Sequence, residues 1–388
     1  MVHSILDNDL YKLSMGYAVF KKFPEAKVEY TFIDRDDVDY PRGFGDELRK
    51  RVSNMRLLKL TPEEKKYLLD KCKYIPQTYI DFLEGYRYDP SEVGIVQTDT
   101  KLSIKASGSW YKTIMWEVPL MATISELYFE MTGQKPTKTI AERHSNNIEK
   151  ATILKMNNIQ FADFGTRRRY SYATQFDMVR DMSAYGGDMF MGTSNIHMAM
   201  LTGRAPIGTH AHEWFMVHGA LYGYKMANLM ALDNWIDVYR GDLGIALTDT
   251  FTTDVFLRSF DKMHAKLFDG VRHDSGCPKE FAEKIIAHYL KLGIDPKTKT
   301  IVYSDGLNIA KTLDIDKYVN RRIKTSYGIG TNFSNDVGVK PLNIVIKITS
   351  CSLFGDVWYD TVKLPDNVGK NTGKKEEVEL AKRILNIK

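Results

Sequence analysis

Three histidines fall within nine positions of the segment GTHAHEWFMVHG (208–219), in a chain that carries nine histidines in all. His210 and His212 form an HxH pair, and imidazoles so placed can ligate a metal, relay a proton or accept a phosphoryl group. Neighbouring phrases add His273, Asp274, Asp249 and Asp305, which together would suit a metal-dependent hydrolase. Neither an HExxH phrase nor a cysteine cluster accompanies them. His218 lies six residues beyond His212, about 240° around a helix of ordinary pitch, and is expected to face elsewhere as an ordinary side chain. His212 differs because it stands where a predicted strand gives way to the helical pattern HEWFMVHGALYGYKMANLM. A helix N-terminus favours negative charge through its free N–H groups and its dipole, so an imidazole there can meet or accept phosphate.

Other phrases offer complementary chemistry. YSDGLN (303–308) and YGIGT (327–331) follow the last two predicted strands, and their glycines let backbone amides approach an anion. Asp249, Asp274 and Asp305 each end a predicted strand, where an aspartate either caps the next helix or contacts a sugar or metal-phosphate. Ser275 can cap the helix that begins near Pro278 while Asp274 turns toward the site. Arg167, just beyond Phe164, sets a cation beside an aromatic plane and suits an aromatic carboxylate; the run Arg167, Arg168 and Arg169 otherwise reads as a solvated helix start.

These residues need a frame that brings them together. FADFGTRRR (161–169), MFMGTSN (189–195), APIGTHAHE (205–213), LGIALTDT (243–250), GVRHDSG (270–276), IVYSDGLN (301–308) and IKTSYGIGT (323–331) each carry a short apolar run into a polar or glycine-rich turn. Amphipathic helical stretches separate them; one starts at Pro278 and stops at Gly293. Strand–helix alternation implies a parallel sheet, and seven such units predict an α/β barrel, closed or nearly so, with a doubly wound open sheet as the alternative. In a barrel the turns share one face, where distant residues converge. Upstream of residue 135 the pattern is α+β, with VEYTFIDR (28–35) and KLSIKASGSWYKTIMWEV (101–118) read as strands. The expected division is 1–135 for this N-terminal domain and 136–345 for the barrel, with 346–388 packing against the former.

Composition limits the partners. A chain of 388 residues with 43% hydrophobic and 27% charged content has the character of a soluble globular protein. No apolar stretch is long enough to span a bilayer, and the start MVHSILDNDLYK is too acidic for a signal peptide, so a cytoplasmic location is expected. Cys72, Cys277 and Cys351 are odd in number and far apart, as reduced thiols would be. The net charge of +5 is modest and spread out, which suits small anionic ligands better than nucleic acid.

Taken in order, FGTRRR, GTSN, AHEWF, LGIALTDT, RHDSG, HYLKLGID and GIGT resemble the phrases of the nicotinate phosphoribosyltransferase family, over a span from LDNDLYKLSM (6–15) to VKPLNIVIKI (339–348). The resemblance implies a type II phosphoribosyltransferase: an α/β barrel packed on an α+β N-terminal domain, in a homodimer with shared active sites. It implies formation of nicotinate mononucleotide and pyrophosphate from nicotinate and phosphoribosyl pyrophosphate, a salvage step of NAD biosynthesis. ATP hydrolysis would be coupled through a phosphorylated histidine, and Mg²⁺ would be carried by pyrophosphate or ATP rather than by assigned protein ligands. His212 matches the phosphorylated histidine. Phe164 matches the ring that stacks on the pyridine, Arg167 the basic group beside it, and Tyr11 an aromatic lent by the partner subunit. Arg272 and Asp274 match positions at the ribose and pyrophosphate, with Asp249 beside them. Asp305, Gly306, Gly328 and Gly330 fall in loops expected around ribose and phosphate, and Lys340 is a weaker candidate. Ser194 in GTSN stands where the related nicotinamide-using family carries Asp; its neutral hydroxyl can donate to a carboxylate, or it caps the following helix. Cys277 replaces the usual Asp of RHDSGDP, and His210 is expected to be a bystander that supports the loop, with no chemical role assigned. Nicotinamide or quinolinate as the base, and a non-catalytic ligand-binding barrel, are the alternatives.

Overall fold

The computed structural model describes residues 2–353, 355, 357–367 and 369–387. Strand β1 (Lys27–Asp34) alternates buried Val28, Tyr30 and Phe32 with more exposed neighbours, the period of a sheet covered on one face. It pairs antiparallel with β3 (Lys101–Ser109), which pairs in turn with β2 (Val93–Thr98). The chain after Ser109 is helical, contrary to the strand expected to 118: Trp110, Ile114, Met115, Trp116 and Val118 are all buried, and crowded apolar residues on successive faces suit a helix within a core.

Each of the seven phrases supplies one strand of a parallel sheet. These are β4 (Phe161–Asp163), β5 (Phe190–Thr193), β6 (Ala205–Pro206), then, after a short β7 (Arg240–Leu243), β8 (Ile245–Leu247), β9 (Gly270–His273), β10 (Thr300–Tyr303) and β11 (Lys324–Ile329). Their order is β6-β5-β4-β11-β10-β9-β8, so the last strand lies beside the first as in a barrel; a doubly wound sheet would not bring them together. The edges β6 and β8 leave one seam without strand pairing among the described residues. Side chains bridge it: Thr209 Oγ1 donates to the Ile245 carbonyl at 2.9 Å, and the Leu247 amide donates to His210 Nε2 at 3.1 Å.

The tail serves both units. Strand β12 (Ile344–Ser352) pairs with β1, and β13 (Tyr359–Asp360) follows it, which completes the antiparallel sheet in the order β13-β12-β1-β3-β2. The final helix Lys375–Leu385 instead joins the barrel side, where Tyr224 donates to Glu377 and Arg258 to the Leu385 carbonyl. Aromatic packing of Phe23 and Trp110 against Trp214 and His218 joins the N-terminal domain to the barrel helix His212–Tyr222. Lys12, wholly buried in the helix Leu10–Lys22, adds ion pairs to Glu117 at 2.5 Å and Glu213 at 2.9 Å. No helix among the described residues is long and apolar enough to cross a membrane.

Candidate active site

A cavity of about 1270 Å³ opens at the C-terminal ends of the barrel strands. Tyr11, Phe164, Arg167 and Ser194 line one part; His212, Arg272, Asp274, Asp305, Gly306 and Gly330 line the rest. The first group is built from the turn after β4. Asp163 accepts from the Gly165 amide, Thr193 and Gln175, which fixes that turn; burial pushes its carboxyl up to about 6. The arginine run does not form a solvated helix start. Arg169 is fully buried in a two-pronged pair with Asp7 at 2.7 and 2.9 Å, Arg168 donates to the Ile344 carbonyl, and Arg167 reaches the cavity with its guanidinium 5.9 Å from the Tyr11 ring.

The pair Asp7–Arg169 also straps down the segment that carries Tyr11, together with Leu10, whose amide donates to the Ser194 carbonyl. The chain's own Tyr11 lines this cavity. Gly328 is misplaced by the sequence reading. It lies buried within β11 rather than in a phosphate loop, and a Cβ there would sit 2.2 Å from the Phe164 ring, so its bareness makes room for that ring. Gly306, at φ +54°, and Gly330 do line the cavity. Lys340 is on the surface, paired with Asp36 at 2.7 Å and 81% exposed.

His212 is the first residue of its helix, as the change of pattern predicted. Its Nδ1 lies 3.0 Å from Thr250 Oγ1; its Nε2 lies 2.9 Å from Asp274 Oδ2 and 2.7 Å from Lys363 Nζ. Burial, and then the Lys363 charge, depress the imidazole to about 4, so it is neutral near pH 7. Burial opposes ionisation of Asp274, but the contact with His212 and the Arg272 charge hold that carboxyl well below its ordinary range. Asp249 sits behind them, 3.8 Å from Nε2, and receives a short hydrogen bond from Ser275. Ser275 thus does not cap the next helix, whose N-cap is Cys277 with no side-chain bond. Nor does Ser194 cap: Asn195 does so, while the Ser194 hydroxyl donates to Asp9 at 2.7 Å.

Of the residues that would suit a hydrolase metal, the structure gathers His212, Asp249 and Asp274 and packs His210 and His273 elsewhere. His212, Asp249 and Asp274 are close enough to share an ion, but an ammonium already stands 2.7 Å from the imidazole. His273 packs on the Phe281 and Tyr303 rings, and His210 bonds the Leu247 amide. His218 donates from Nδ1 to the Trp214 carbonyl and accepts from Asn234, a structural role.

Asp9, Lys347 and Lys363 are among the residues of the cavity wall that sequence reasoning missed. Asp9 is buried beside Ser194, and burial raises its carboxyl. Lys347 on β12 is depressed to about 7 by burial and by the Lys363 charge. Lys363 follows β13. Both lysines lie beyond the repeating strand phrases, and in IVIKI and TVKL they alternate with apolar residues, a pattern that by itself reads as a solvated strand face.

The family model described as "Nicotinate phosphoribosyltransferase (NAPRTase) family" matches residues 159–388, and the model of the NAPRTase N-terminal domain matches residues 6–125. The chain is 53% identical over 386 residues to a nicotinate phosphoribosyltransferase of Chromohalobacter salexigens, covering 99% of this chain and 98% of that one. It is 52% identical over 386 residues to that of Desulforapulum autotrophicum, covering 99% of each. The crystal structure of nicotinate phosphoribosyltransferase from Porphyromonas gingivalis superposes with a TM-score of 0.97 at 44% identity over the whole of both chains. With both of its domains matched and six of its seven strand-end phrases lining one cavity, the chain belongs to the nicotinate phosphoribosyltransferase family.

Proposed function

We propose that this enzyme joins nicotinate to the phosphoribosyl group of phosphoribosyl pyrophosphate, releasing pyrophosphate, and that ATP drives the reaction through transient phosphorylation of His212. The observation that carries this reading is a single cavity with an aromatic and cationic end, Phe164, Tyr11 and Arg167, and an end where neutral His212 meets Asp274 and Lys363. Phe164 and Tyr11 orient the pyridine ring, and Arg167 draws its carboxylate. Displacement at ribose C1 breaks the bond to pyrophosphate, which departs with its electron pair, and makes one to the pyridine nitrogen, building positive charge on the sugar in passing. The chain aligns the two reactants and surrounds the departing anion with Arg272, Lys347 and Lys363. Asp305 and the bare backbone at Gly306 and Gly330 hold the ribose and its phosphate.

The imidazole of His212 is uncharged and has a lone pair to attack the terminal phosphorus of ATP, with ADP as the leaving group. Lys363 offsets the negative charge that the phosphoryl group brings. Mg²⁺ arriving with pyrophosphate or ATP would neutralise phosphate charge; the carboxylates of Asp274 and Asp249 fit it, since Asp249 Oδ1 is buried without a hydrogen-bond partner. The molecule works as a homodimer with shared active sites in this reading. Nicotinate mononucleotide formation, followed with and without ATP in metal-stripped and Mg²⁺-restored enzyme, tests the proposal. Stimulation by ATP only with Mg²⁺ is expected; product formation indifferent to ATP would remove the coupling.

A further inference from the structure

His212 and the groups that face it come from opposite sides of the barrel seam. His212 follows β6, whereas Asp249 and Thr250 follow β8. Elsewhere in the sheet, ladder bonds set the register of neighbouring strand ends, as between β9 and β10 from Gly270 and Thr300 to His273 and Tyr303. Across the seam no ladder exists among the described residues, and the bonds from Thr209 and to His210 stand in its place. The second joins the last amide of β8, two residues before Asp249 and three before Thr250, to a side chain two residues before His212.

The His210 ring is buried, edge-on to Phe215 at 5.2 Å and to Trp235 at 4.6 Å between centroids, which fixes its plane. Because Nε2 accepts the Leu247 N–H, the neutral ring carries its proton on Nδ1. That atom is buried with no hydrogen-bond partner. An unpaired buried donor is destabilising, and an apolar residue of similar size would avoid it. Packing alone therefore does not account for a histidine here; its acceptor does.

We infer that His210 is a positioning residue that spans the seam in place of a ladder bond and thereby sets His212 against Thr250 and Asp249. It acts through the backbone and lines no part of the substrate cavity. Its kinetic consequence rests on the reading in which His212 is phosphorylated; its structural consequence does not.

Two variants test it. His210→Leu keeps apolar volume and loses the acceptor; His210→Gln can bring Oε1 to the place of Nε2. Each is compared with wild type for thermal midpoint, hydrogen exchange of the peptide containing Leu247, and initial rate of acid-labile phosphate incorporation from ATP. His210→Leu should stay folded, exchange Leu247 at least about tenfold faster and phosphorylate at least about tenfold more slowly, with ATP-independent transfer changed by no more than about twofold. His210→Gln should recover both protection and phosphorylation. Equal phosphorylation in His210→Leu, or unchanged protection of Leu247, overturns the inference. Should His210→Leu not fold, a folded His210→Gln that loses both signals overturns it and one that keeps both supports it. Should wild type itself take up no acid-labile phosphate, the phosphohistidine reading fails, and the exchange at Leu247 decides the inference on its own.

Discussion

Single side chains carry most of the chemistry, and Ser194 shows how a neighbour alters what a residue can do. Its hydroxyl donates to Asp9, whose carboxyl burial has already raised. A second carboxyl placed there by Ser194→Asp would remove the hydroxyl donor and add negative charge beside Asp9 and the base. That charge repels the carboxylate of nicotinate but accepts from the carboxamide of nicotinamide. The variant should lose most nicotinate activity and shift its ratio of kcat/KM values toward nicotinamide; an unchanged ratio would remove Ser194 from base selection. Arg167→Ala should lower kcat/KM for nicotinate by about 2 kcal/mol, the scale of truncating one partner of a charged hydrogen-bonded pair, and leave the thermal midpoint nearly unchanged because the side chain is 43% exposed. Undiminished kcat/KM would show that another group meets the carboxylate.

At the scale of elements, the turn after β11 depends on a neighbouring helix. Lys150, on the helix Ile140–Met156, donates to the Asn332 carbonyl and to Asp336, each at 2.6 Å. Asp336 also accepts from Lys138 and Asn146; against the effect of burial, these partners hold its carboxyl at about 2. Lys150→Met should loosen this turn and raise KM for phosphoribosyl pyrophosphate by about tenfold, or about 1.4 kcal/mol, with a smaller change in kcat. A fall in kcat alone would contradict a role in holding phosphate. The seven barrel strands were legible in the sequence because each apolar run ends in a turn whose side chains cannot be buried without partners. His212 was legible for the same reason, standing at the point where strand period becomes helix period. The seam was not, since a two-residue strand such as β6 has no period to read. Gly328 misled because a glycine that admits a ring and one that admits phosphate look alike until the ring is placed. Lys347 and Lys363 were missed because their role depends on β12 crossing back to β1, a pairing more than 300 residues distant in sequence.

For the whole molecule, burial of neutral imidazoles links stability to pH. Burial depresses His218 and His212 to about 4 and holds His210 well below its ordinary value, while an unfolded histidine takes up its proton near pH 6.5. The unfolded chain thus binds more protons as pH falls through about 6.5, and the native chain does not follow until about 4; stability present at pH 7 is lost across that interval. For His218 alone the loss between pH 7 and pH 5 is about 2 kcal/mol. Urea unfolding should show a smaller decline over this range for His218→Gln than for wild type; parallel declines would mean that His218 is not held neutral. In a homodimer with shared active sites, mixed dimers of inactive Tyr11→Ala and Asp274→Ala chains should recover part of the activity, and no recovery in verified mixed dimers would count against the shared site. The central claim, that this barrel couples ATP to base transfer through one histidine, is tested most directly with γ-labelled ATP on wild type and His212→Asn. Wild type should take up acid-labile phosphate and form nicotinate mononucleotide faster with ATP, and His212→Asn should take up none while keeping a slower, ATP-independent transfer. Acid-labile phosphate on His212→Asn, or equal stimulation of both enzymes by ATP, would contradict it.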